Sequence, residues 1–210
     1  MDSIFDWLFS EYIGRDTHLI VLELVAAFFG VVSVVFSKRN SIWVFPTGII
    51  STLISVYILA VYGLMGDMLI NAYYFVMSIY GWYYWTRKPD NVHETPITFT
   101  TKKQKKKSIW IFLATMVFIA LVYQVFDKWQ NWYSYTDILP TAIFFVGQWL
   151  MSKRKVENWL YWIVGDSISV PLYFLKGLTF TALLYLAMTI LAVFGYRSWK
   201  KIFNNNRQTV

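Results

Sequence analysis

The sequence predicts an all-α membrane protein with seven transmembrane helices, in which two parallel three-helix repeats flank one linking helix (3+1+3). Composition, seven long apolar stretches and a series of recurring positions support this prediction. Of the 210 residues, 57% are hydrophobic and 15% are charged, whereas soluble domains carry about 45–50% apolar and about 25% charged residues. An aromatic content of 20% excludes a disordered chain, and the absence of cysteine excludes a disulfide scaffold.

Each predicted helix is a mostly apolar stretch close to the length of about 20 residues that crosses a bilayer core. In chain order, the stretches are 19–37, 41–66, 68–86, 108–126, 138–152 with an extension from Tyr133, 158–175 and 177–196. Transmembrane strands are a poor interpretation, because these stretches are too long and do not alternate polar and apolar residues.

The basic residues predict the orientation in the membrane. If the first helix runs from outside to inside, 16 of the 19 Lys and Arg residues lie on the inside, and only Arg15, Lys128 and Lys176 lie outside. Cytoplasmic loops carry such an excess. We therefore expect an integral plasma (inner) membrane protein with its N-terminus outside and its C-terminus cytoplasmic. The net charge of +7 then reflects loop asymmetry, and the lysine run 102–107 faces anionic lipid rather than nucleic acid.

The predicted organisation has six segments. They are an extracytoplasmic or interfacial segment (1–17), a first three-helix repeat (18–86), a basic cytoplasmic loop (87–107), a linking transmembrane helix (108–127), a second three-helix repeat (128–201) and a cytoplasmic tail (202–210). The first segment is not a secretory signal, because it is acidic and lacks a positive region before an apolar core.

Positions in the first three predicted helices recur in order in the last three. The matching pairs are Ser37-Lys38-Arg39 with Ser152-Lys153-Arg154, Trp43 with Trp159, Gly81 with Gly195 and Trp85 with Trp199. Their spacings of 115, 116, 114 and 114 residues imply a two-residue deletion in the second copy. Both units begin outside, because the linking helix supplies the extra crossing. Parallel repeats of this kind are a transporter design with substrate bound near the midplane.

Two ionisable residues lie inside predicted spans, where a charge is costly and therefore a functional candidate. Asp166 lies near the middle of the sixth helix and is expected to line a binding site. Glu23 lies near the outer end of the first helix, and we expect a structural or gating role for it. The competing interpretations are protonation or an interhelical hydrogen bond for Asp166, and contact with the interface for Glu23.

Aromatic and polar side chains share faces of the predicted helices. On the sixth helix, Trp159, Trp162, Asp166, Ser169 and Tyr173 fall on one stripe, and Tyr173 is another candidate for a structural or gating role. The third helix carries Asn71, Tyr74, Ser78, Trp82 and Trp85 at nearly the same spacing, and the fifth carries Gln148. Interfacial aromatic belts and interhelical hydrogen bonds are purely structural explanations of the same pattern.

This lining suits one chemical class of ligand. Aromatic faces attract flat rings and cations, amides and hydroxyls bind polar substituents, and a buried carboxylate is compensated by a positive charge. The sequence therefore favours a flat, partly polar, cationic small molecule.

The chain carries no catalytic constellation. Its only two histidines are His18 and His93, and it has no metal cluster, no phosphate-binding loop and no nucleophile elbow. We therefore expect no enzyme activity, no cofactor and no metal site, and primary active transport by this chain alone is excluded.

The chain resembles the PnuC-type vitamin transporters from Glu23 to Trp199. The most specific segments are Ile79-Tyr80-Gly81-Trp82-Tyr83 with Trp85, and Val156-Glu157-Asn158-Trp159-Leu160-Tyr161-Trp162, which contains the Trp-x-x-Trp motif of that family. Glu23 followed by Gly30, and Asp137 before the fifth helix, also fit the family pattern.

The resemblance implies a 3+1+3 fold related to the SWEET sugar transporters, and facilitated diffusion without a coupling ion. It also implies trapping of the vitamin by a cytoplasmic kinase and a homotrimer. It places the substrate between the halves. The implied substrate-binding residues are Trp159, Trp162, Asp166, Asn71, Gln148, Tyr74 and Ser78.

The substrate implied by the family is nicotinamide riboside, and one residue departs from that pattern. Nicotinamide riboside carriers have Asn at the position of Asp166 and Gln at that of Asn71, whereas Asp at the first position resembles the thiamine-carrying branch. Both vitamins carry a ring cation, so both stay candidates, with nicotinamide riboside first. Two different classes of protein also stay possible: a proton-coupled carrier with Asp166 or Glu23 as relay, and a membrane enzyme or scaffold.

Overall fold

The computed structural model describes residues 16–87, 95–127, 129, 132–176 and 178–208, and within them it contains seven α-helices. They are α1 (Thr17–Lys38), α2 (Val44–Val61), α3 (Met65–Thr86), α4 (Lys102–Val125), α5 (Trp132–Ser152), α6 (Asn158–Leu175) and α7 (Thr179–Gln208). The prediction of an all-α chain with seven helices is confirmed. The predicted segment 1–17 lies almost entirely outside the described residues.

Four of these helices are long and apolar enough to cross a membrane: α1, α2, α4 and the part of α7 from Thr181 to Asn206. The other three, α3, α5 and α6, are rich in Tyr and Trp and carry polar residues such as Asn71, Gln148 and Asp166. These residues lower the mean hydropathy of a helix without shortening it. That α3, α5 and α6 also cross the membrane stays a prediction.

Two helices extend further than the predicted apolar stretches. Helix α4 begins at Lys102, so the lysine run 102–107 is helical rather than part of a loop ending at residue 107. Thr101 starts this helix, because its hydroxyl accepts a hydrogen bond from the Gln104 backbone while the Gln104 side chain accepts one from the Thr101 backbone. Helix α7 continues to Gln208, so most of the predicted tail 202–210 is helical.

The helices pack as two groups of three with α4 at one side. Helix α2 packs between α1 and α3, which together form the first half, and α6 packs between α5 and α7, which form the second half. The halves meet where α3 packs on α5 and where α1 packs on α7, while α4 packs on α5 and barely contacts α3.

The turns after α1 and α5 have the same geometry. Asn40 and Arg154 both adopt left-handed backbone conformations, with φ of 55° and 57°. The backbone N–H of the next residue then donates to the carbonyl five positions back: Ser41 to Phe36, and Lys155 to Leu150. Each of these residues in the second half lies 114 positions after its counterpart.

The same spacing relates buried tryptophans at this end of the bundle. The indole N–H of Trp85 donates to the carbonyl of Met151 over 3.2 Å, and that of Trp199 donates to the carbonyl of Ser37 over 2.8 Å. Each bond therefore joins one half to the other. The two indoles are 5.6 Å apart. We call this end, where α1, α3, α5 and α7 run into basic residues, the basic end, and the other the far end.

Each of these tryptophans packs against one further aromatic ring, and the two rings show which residues of the halves correspond. Trp85 packs edge-on against Phe45 at 4.9 Å and 88°, and Trp199 packs edge-on against Trp159 at 5.7 Å and 87°. Trp159 therefore occupies the position of Phe45, not that of Trp43. The spacing is 114 throughout these contacts, so the predicted spacings of 115 and 116 and the deletion are wrong.

Candidate functional site

A cavity of about 410 Å³ lies between the two halves, within the range of small-molecule sites. Every helix except α4 contributes to its wall. The lining residues are Gly30, Ser33, Val34, Ser37, Val44, Gly48, Ser51, Thr52, Asn71, Tyr74, Ser78, Phe144, Gln148, Met151, Trp159, Trp162, Asp166, Leu184, Tyr185, Met188 and Ala192.

The structure brings all seven predicted binding residues to this one cavity. They are Trp159, Trp162, Asp166, Asn71, Gln148, Tyr74 and Ser78. Glu23 lies elsewhere, in the wall of a second cavity. Tyr173 lines neither cavity, but its ring stacks on that of Tyr185 at 5.0 Å, so it supports the wall from behind.

Asp166 is the acidic group of the central cavity. It lies in the middle of α6, and its side chain is only 4% exposed. Among the described residues, no hydrogen bond or ion pair to its carboxylate is present. Among the residues that the structure describes, neither of the two cavity walls contains Lys, Arg or His. An ionised carboxylate in such surroundings costs several kcal/mol unless a positive charge pairs with it, so the site is electrostatically suited to a cation.

Aromatic rings stack in a column beside Asp166. Trp162 stacks on Phe144 at 5.3 Å and 28°, and Phe144 lies parallel to Tyr185 at 6.1 Å and 11°. The column continues from Tyr185 to Tyr173. Sequence reasoning missed Phe144, because an apolar residue in an apolar helix gives no signal. Tyr185 could have been found, since it lies 114 positions after Asn71.

Small residues set how closely the helices approach around these rings. A Cβ atom on Gly165 would lie 2.3 Å from the Phe144 ring, and one on Gly195 would lie 2.6 Å from the Trp159 ring. Neither position accepts a side chain without a shift of the ring. Trp159 is 2% exposed, and its indole N–H has no hydrogen-bond partner among the described residues.

The polar residues of α3 and α5 add hydrogen-bonding groups. The Asn71 amide nitrogen donates to the Asp67 carbonyl over 3.0 Å, and the Ser78 hydroxyl donates to the Tyr74 carbonyl over 2.9 Å. These bonds fix the side chains and leave the Asn71 amide oxygen and the Ser78 lone pairs able to accept. Gln148, 6% exposed, adds a buried amide from α5.

Buried side chains close the cavity at the basic end. The Arg154 guanidinium stacks over Trp85 at 4.5 Å, donates from Nε to Asn40 Oδ1 over 3.1 Å, and donates from Nη1 to the Thr95 carbonyl. Arg154, Trp85 and Trp199 are all buried. Because Asn40 and Arg154 occupy corresponding turns of the two halves, this contact holds the halves together.

The segment 95–101 between α3 and α4 crosses the basic end. Thr98 pairs with Lys155 as a short parallel bridge, with backbone bonds of 3.2 Å to Arg154 and 3.0 Å from Val156. The Glu157 carboxylate accepts from the Thr100 backbone at 2.9 Å and from its hydroxyl. Burial beside this bridge lowers the pKa of Lys155. The segment is therefore fastened to the second half.

A second cavity of about 650 Å³ extends towards the far end. It shares five lining residues with the central cavity: Gly30, Ser51, Asn71, Leu184 and Met188. Its outer wall includes Tyr62 and Leu64 of the turn between α2 and α3, and its acidic group is Glu23. The two cavities are therefore adjacent.

No group of three or more His, Cys, Asp or Glu in the described ranges could hold a metal ion. The chemistry of this site is therefore that of stacking, hydrogen bonding and a single carboxylate. It can bind a small organic molecule.

Comparisons with known proteins agree with this geometry. The nicotinamide mononucleotide transporter family model matches residues 20–201. The chain is 28% identical over 204 residues to the riboflavin/roseoflavin transporter RibM of Streptomyces davaonensis, with 92% of each chain covered. It is 27% identical over 160 residues to the nicotinamide riboside transporter PnuC of Escherichia coli K12, covering 65% of this chain and 66% of that one.

A solved structure shares the fold. The crystal structure of the vitamin B3 transporter PnuC matches with a TM-score of 0.65 at 20% identity, over 97% of this chain and 91% of that chain. The family match spans most of the sequence, and the apolar helices fit an integral inner-membrane protein. The chain therefore belongs to the nicotinamide mononucleotide transporter family, the PnuC-type vitamin transporters, and not to an enzyme family.

Proposed function

We propose that this chain takes up a cationic B-type vitamin, with nicotinamide riboside as the first candidate. The observation that carries the proposal is the buried Asp166 carboxylate, which has no partner among the described residues and lies beside stacked aromatic rings. A pyridinium ring would pair with Asp166 and stack on Trp162 and Trp159. The ribose hydroxyls and the carboxamide would bond to Asn71 and Gln148. Tyr74 and Ser78 complete the proposed substrate-binding set.

Thiamine is the second candidate, and Asp166 itself favours it. Thiamine combines a thiazolium cation with an aminopyrimidine, whose amino group is a donor that a carboxylate accepts well. Riboflavin, the ligand named for the Streptomyces relative, is a neutral flat ring system. It would stack equally well but would leave the Asp166 charge without compensation, so the buried carboxylate argues against it.

The proposed mechanism is facilitated diffusion by alternating access, with trapping by a cytoplasmic vitamin kinase. We propose that all seven helices cross the membrane with the N-terminus outside, as two parallel repeats in a full-length SWEET-like arrangement. The constant spacing of 114 between corresponding contacts supports the repeats. Under this orientation, the closed basic end faces the cytoplasm and the second cavity faces outside. An inside-negative potential contributes about 2.3 kcal/mol per 100 mV to uptake of a monovalent cation, so proton coupling is not needed.

The oligomeric state is a separate proposal. We propose a homotrimer, as the family resemblance implies. Helix α4 carries exposed apolar side chains, among them Trp110, Val117 and Val125, which lipid or a neighbouring copy would cover. Cross-linking in native membranes followed by mass determination would test it, and a monomer at all protein densities would reject it.

Calorimetric titration of the purified chain with nicotinamide riboside, thiamine and riboflavin tests the substrate. We expect binding of at least one of the two cations and weaker or absent binding of riboflavin. Asp166→Asn keeps the shape and removes the charge, and Asp67→Asn is the matched control because Asp67 lines neither cavity. Equal affinity of Asp166→Asn for the cation would contradict the charge role.

Uptake into liposomes tests the mechanism and separates it from two competing functions. We expect accumulation of the radiolabelled vitamin driven by its own gradient and by an inside-negative potential, and insensitive to a pH gradient. Uptake that requires a pH gradient would support a proton-coupled carrier instead. No uptake of any vitamin by the folded protein would support a membrane enzyme or scaffold.

A further inference from the structure

The aromatic column beside Asp166 continues behind the cavity wall and reaches an ion pair. Its last ring is that of Tyr173, and the Lys176 ammonium lies over this ring, 4.7 Å from its centre. At such a distance, a cation is attracted by the face of an aromatic ring. The same ammonium contacts both carboxylate oxygens of Asp137 at 2.6 Å. The outer ring of the column is therefore held by a cation that is itself fixed by a carboxylate.

The ion pair and the column join all three helices of the second half. The ion pair joins α5 to the end of α6, because Asp137 lies in α5 and Lys176 is the C-terminal cap of α6. The stack of Tyr173 on Tyr185 joins α6 to α7. The stack of Tyr185 on Phe144 leads back to α5. A shift of any one of these helices therefore changes the stack.

The inner end of the column is a ring that the proposed ligand would contact. Trp162 lines the central cavity and stacks on Phe144 at 5.3 Å and 28°. Phe144 has little freedom, since a Cβ atom on Gly165 would lie 2.3 Å from its ring. A ring that already has the orientation of the bound state binds a ligand without the entropic cost of being ordered. Within the described part of the chain, Asp137 and Lys176 line neither cavity, so they can act on a ligand only from a distance.

The first half is built without this column. At the spacing of 114 residues, its counterparts of the four stacked rings are Leu59, Asn71, Gly30 and Gly48. The counterpart of Lys176 is Tyr62. Because α1, α2 and α3 pack together without such a stack, the packing of three helices does not require it. The stack and the ion pair occur together in the half that presents Trp162 to the cavity.

We propose that Asp137 and Lys176 are positioning residues for the bound vitamin. Their ion pair fixes Tyr173 and, through the stacked rings, keeps Trp162 in the orientation that stacks on an aromatic ligand. This inference rests on the proposed uptake of an aromatic, cationic vitamin. Neither side chain of the pair touches the ligand. The pair sets how tightly the ring of the ligand is held, while Asp166 compensates its charge.

Calorimetric titration with nicotinamide riboside and thiamine tests the proposal. The double variant Asp137→Asn with Lys176→Met removes both charges together, so it leaves no additional lone carboxylate that would attract a cation. We expect its affinity to be about three- to tenfold lower than that of the wild type, comparable to the loss of one stacked aromatic contact. Lys176→Arg keeps the charge and offers the Asp137 carboxylate two parallel donors, so it should retain the wild-type affinity.

A second variant tests whether the ion pair acts through the column. Tyr173→Leu introduces the residue of the corresponding position Leu59 and should lower the affinity by a similar factor. Combined with removal of the ion pair, it should cause no further loss, because both changes break the same path. Tyr173→Phe keeps the ring and is the control, with wild-type affinity expected. Losses that add in the combined variant would contradict the proposal.

Fluorine NMR of the fluorotryptophan-labelled protein reports the orientation of Trp162 in the absence of ligand. Comparison with Trp162→Phe identifies its signal. We expect one sharp Trp162 signal in the wild type and in Lys176→Arg, and a broadened or split signal in Tyr173→Leu and in the variant without the ion pair. An ion pair that only stabilises the fold would lower Tm and leave this signal unchanged.

The outcomes separate this inference from the proposed function. If the wild type binds neither vitamin, the proposed function fails, and the positioning role fails with it. If the wild type binds a vitamin while the variant without the ion pair keeps the wild-type affinity and an unchanged Trp162 signal, only the positioning role is overturned. If that variant does not fold, Tyr173→Leu decides in the same way, because it leaves the ion pair in place.

Discussion

The two halves of the bundle have the same helix packing but line the central cavity with different side chains. At the basic end they are nearly equivalent, since Trp85 and Trp199 each donate to the end of a helix in the other half. Around the cavity they diverge: Trp162 of the second half corresponds to Gly48 of the first, and Asp166 corresponds to Thr52.

The two halves therefore contribute different things to the cavity. The second half supplies the charge and most of the large rings, while the first half supplies space, because Gly30 corresponds to Phe144 and Gly48 to Trp162. If both halves carried the large residues, these rings would occupy the space that the cavity needs. A binding site between two such halves thus requires that they differ where they face the ligand, even while the contacts that align them stay alike.

Moving the carboxylate from one half to the other has the largest expected effect. Asp166→Asn should lower the affinity for a cationic vitamin by about 100-fold or more, because a buried pair that loses one partner costs about 3–5 kcal/mol. Adding Thr52→Asp should recover about tenfold of this affinity, since Thr52 lines the same cavity. Calorimetry of the single and double variants measures both steps. No recovery in a folded double variant would mean that the carboxylate works from one half only.

A methyl group at the corresponding glycines Gly81 and Gly195 should separate stability from binding. Added Cβ atoms would lie 2.3 Å from the Phe45 ring and 2.6 Å from the Trp159 ring, so we expect each Gly→Ala variant to lose about 1–3 kcal/mol of stability. Only Gly195→Ala should also weaken ligand binding, because Trp159 lines the cavity and Phe45 does not. Thermal unfolding and calorimetry test this pair, and equal affinity losses would contradict it.

Removing the indole donors should give the smallest effect, equal in the two halves. Trp85→Phe and Trp199→Phe each delete one hydrogen bond of about 1 kcal/mol while keeping an aromatic ring. The Ser37 and Met151 carbonyls retain bonds from the Asn40 and Arg154 backbones. For a chain of this size, we expect Tm to fall by about 2–4 °C in either variant. A drop confined to one of them would show that the basic end is less symmetric than its geometry.

The helices were predictable because the cost of burying a backbone in lipid imposes long apolar stretches. The start of α4 was not predictable from apolar stretches, because its first residues are the lysines at 102–107. The helix begins there because Thr101 caps it. The cavity residues on α3 and α6 were predictable from helical spacing. Phe144 was not predictable, because an apolar ring in an apolar helix looks like core. The spacing of 114 between the halves was not predictable either, because the tripeptide Ser152-Lys153-Arg154 lies one position away from the geometric match.

Segment 95–101 is bound to the second half, and these bonds determine which parts of the protein can move as units. Helix α4 packs on α5, and the segment before it is bound to the turn between α5 and α6 by the Thr98–Lys155 bridge and by Glu157. Under the proposed alternating access, we therefore expect α4 to move together with α5, α6 and α7. The moving bodies would then be three helices against four, so the linking helix adds its mass and its lipid contacts to the half that carries the charge.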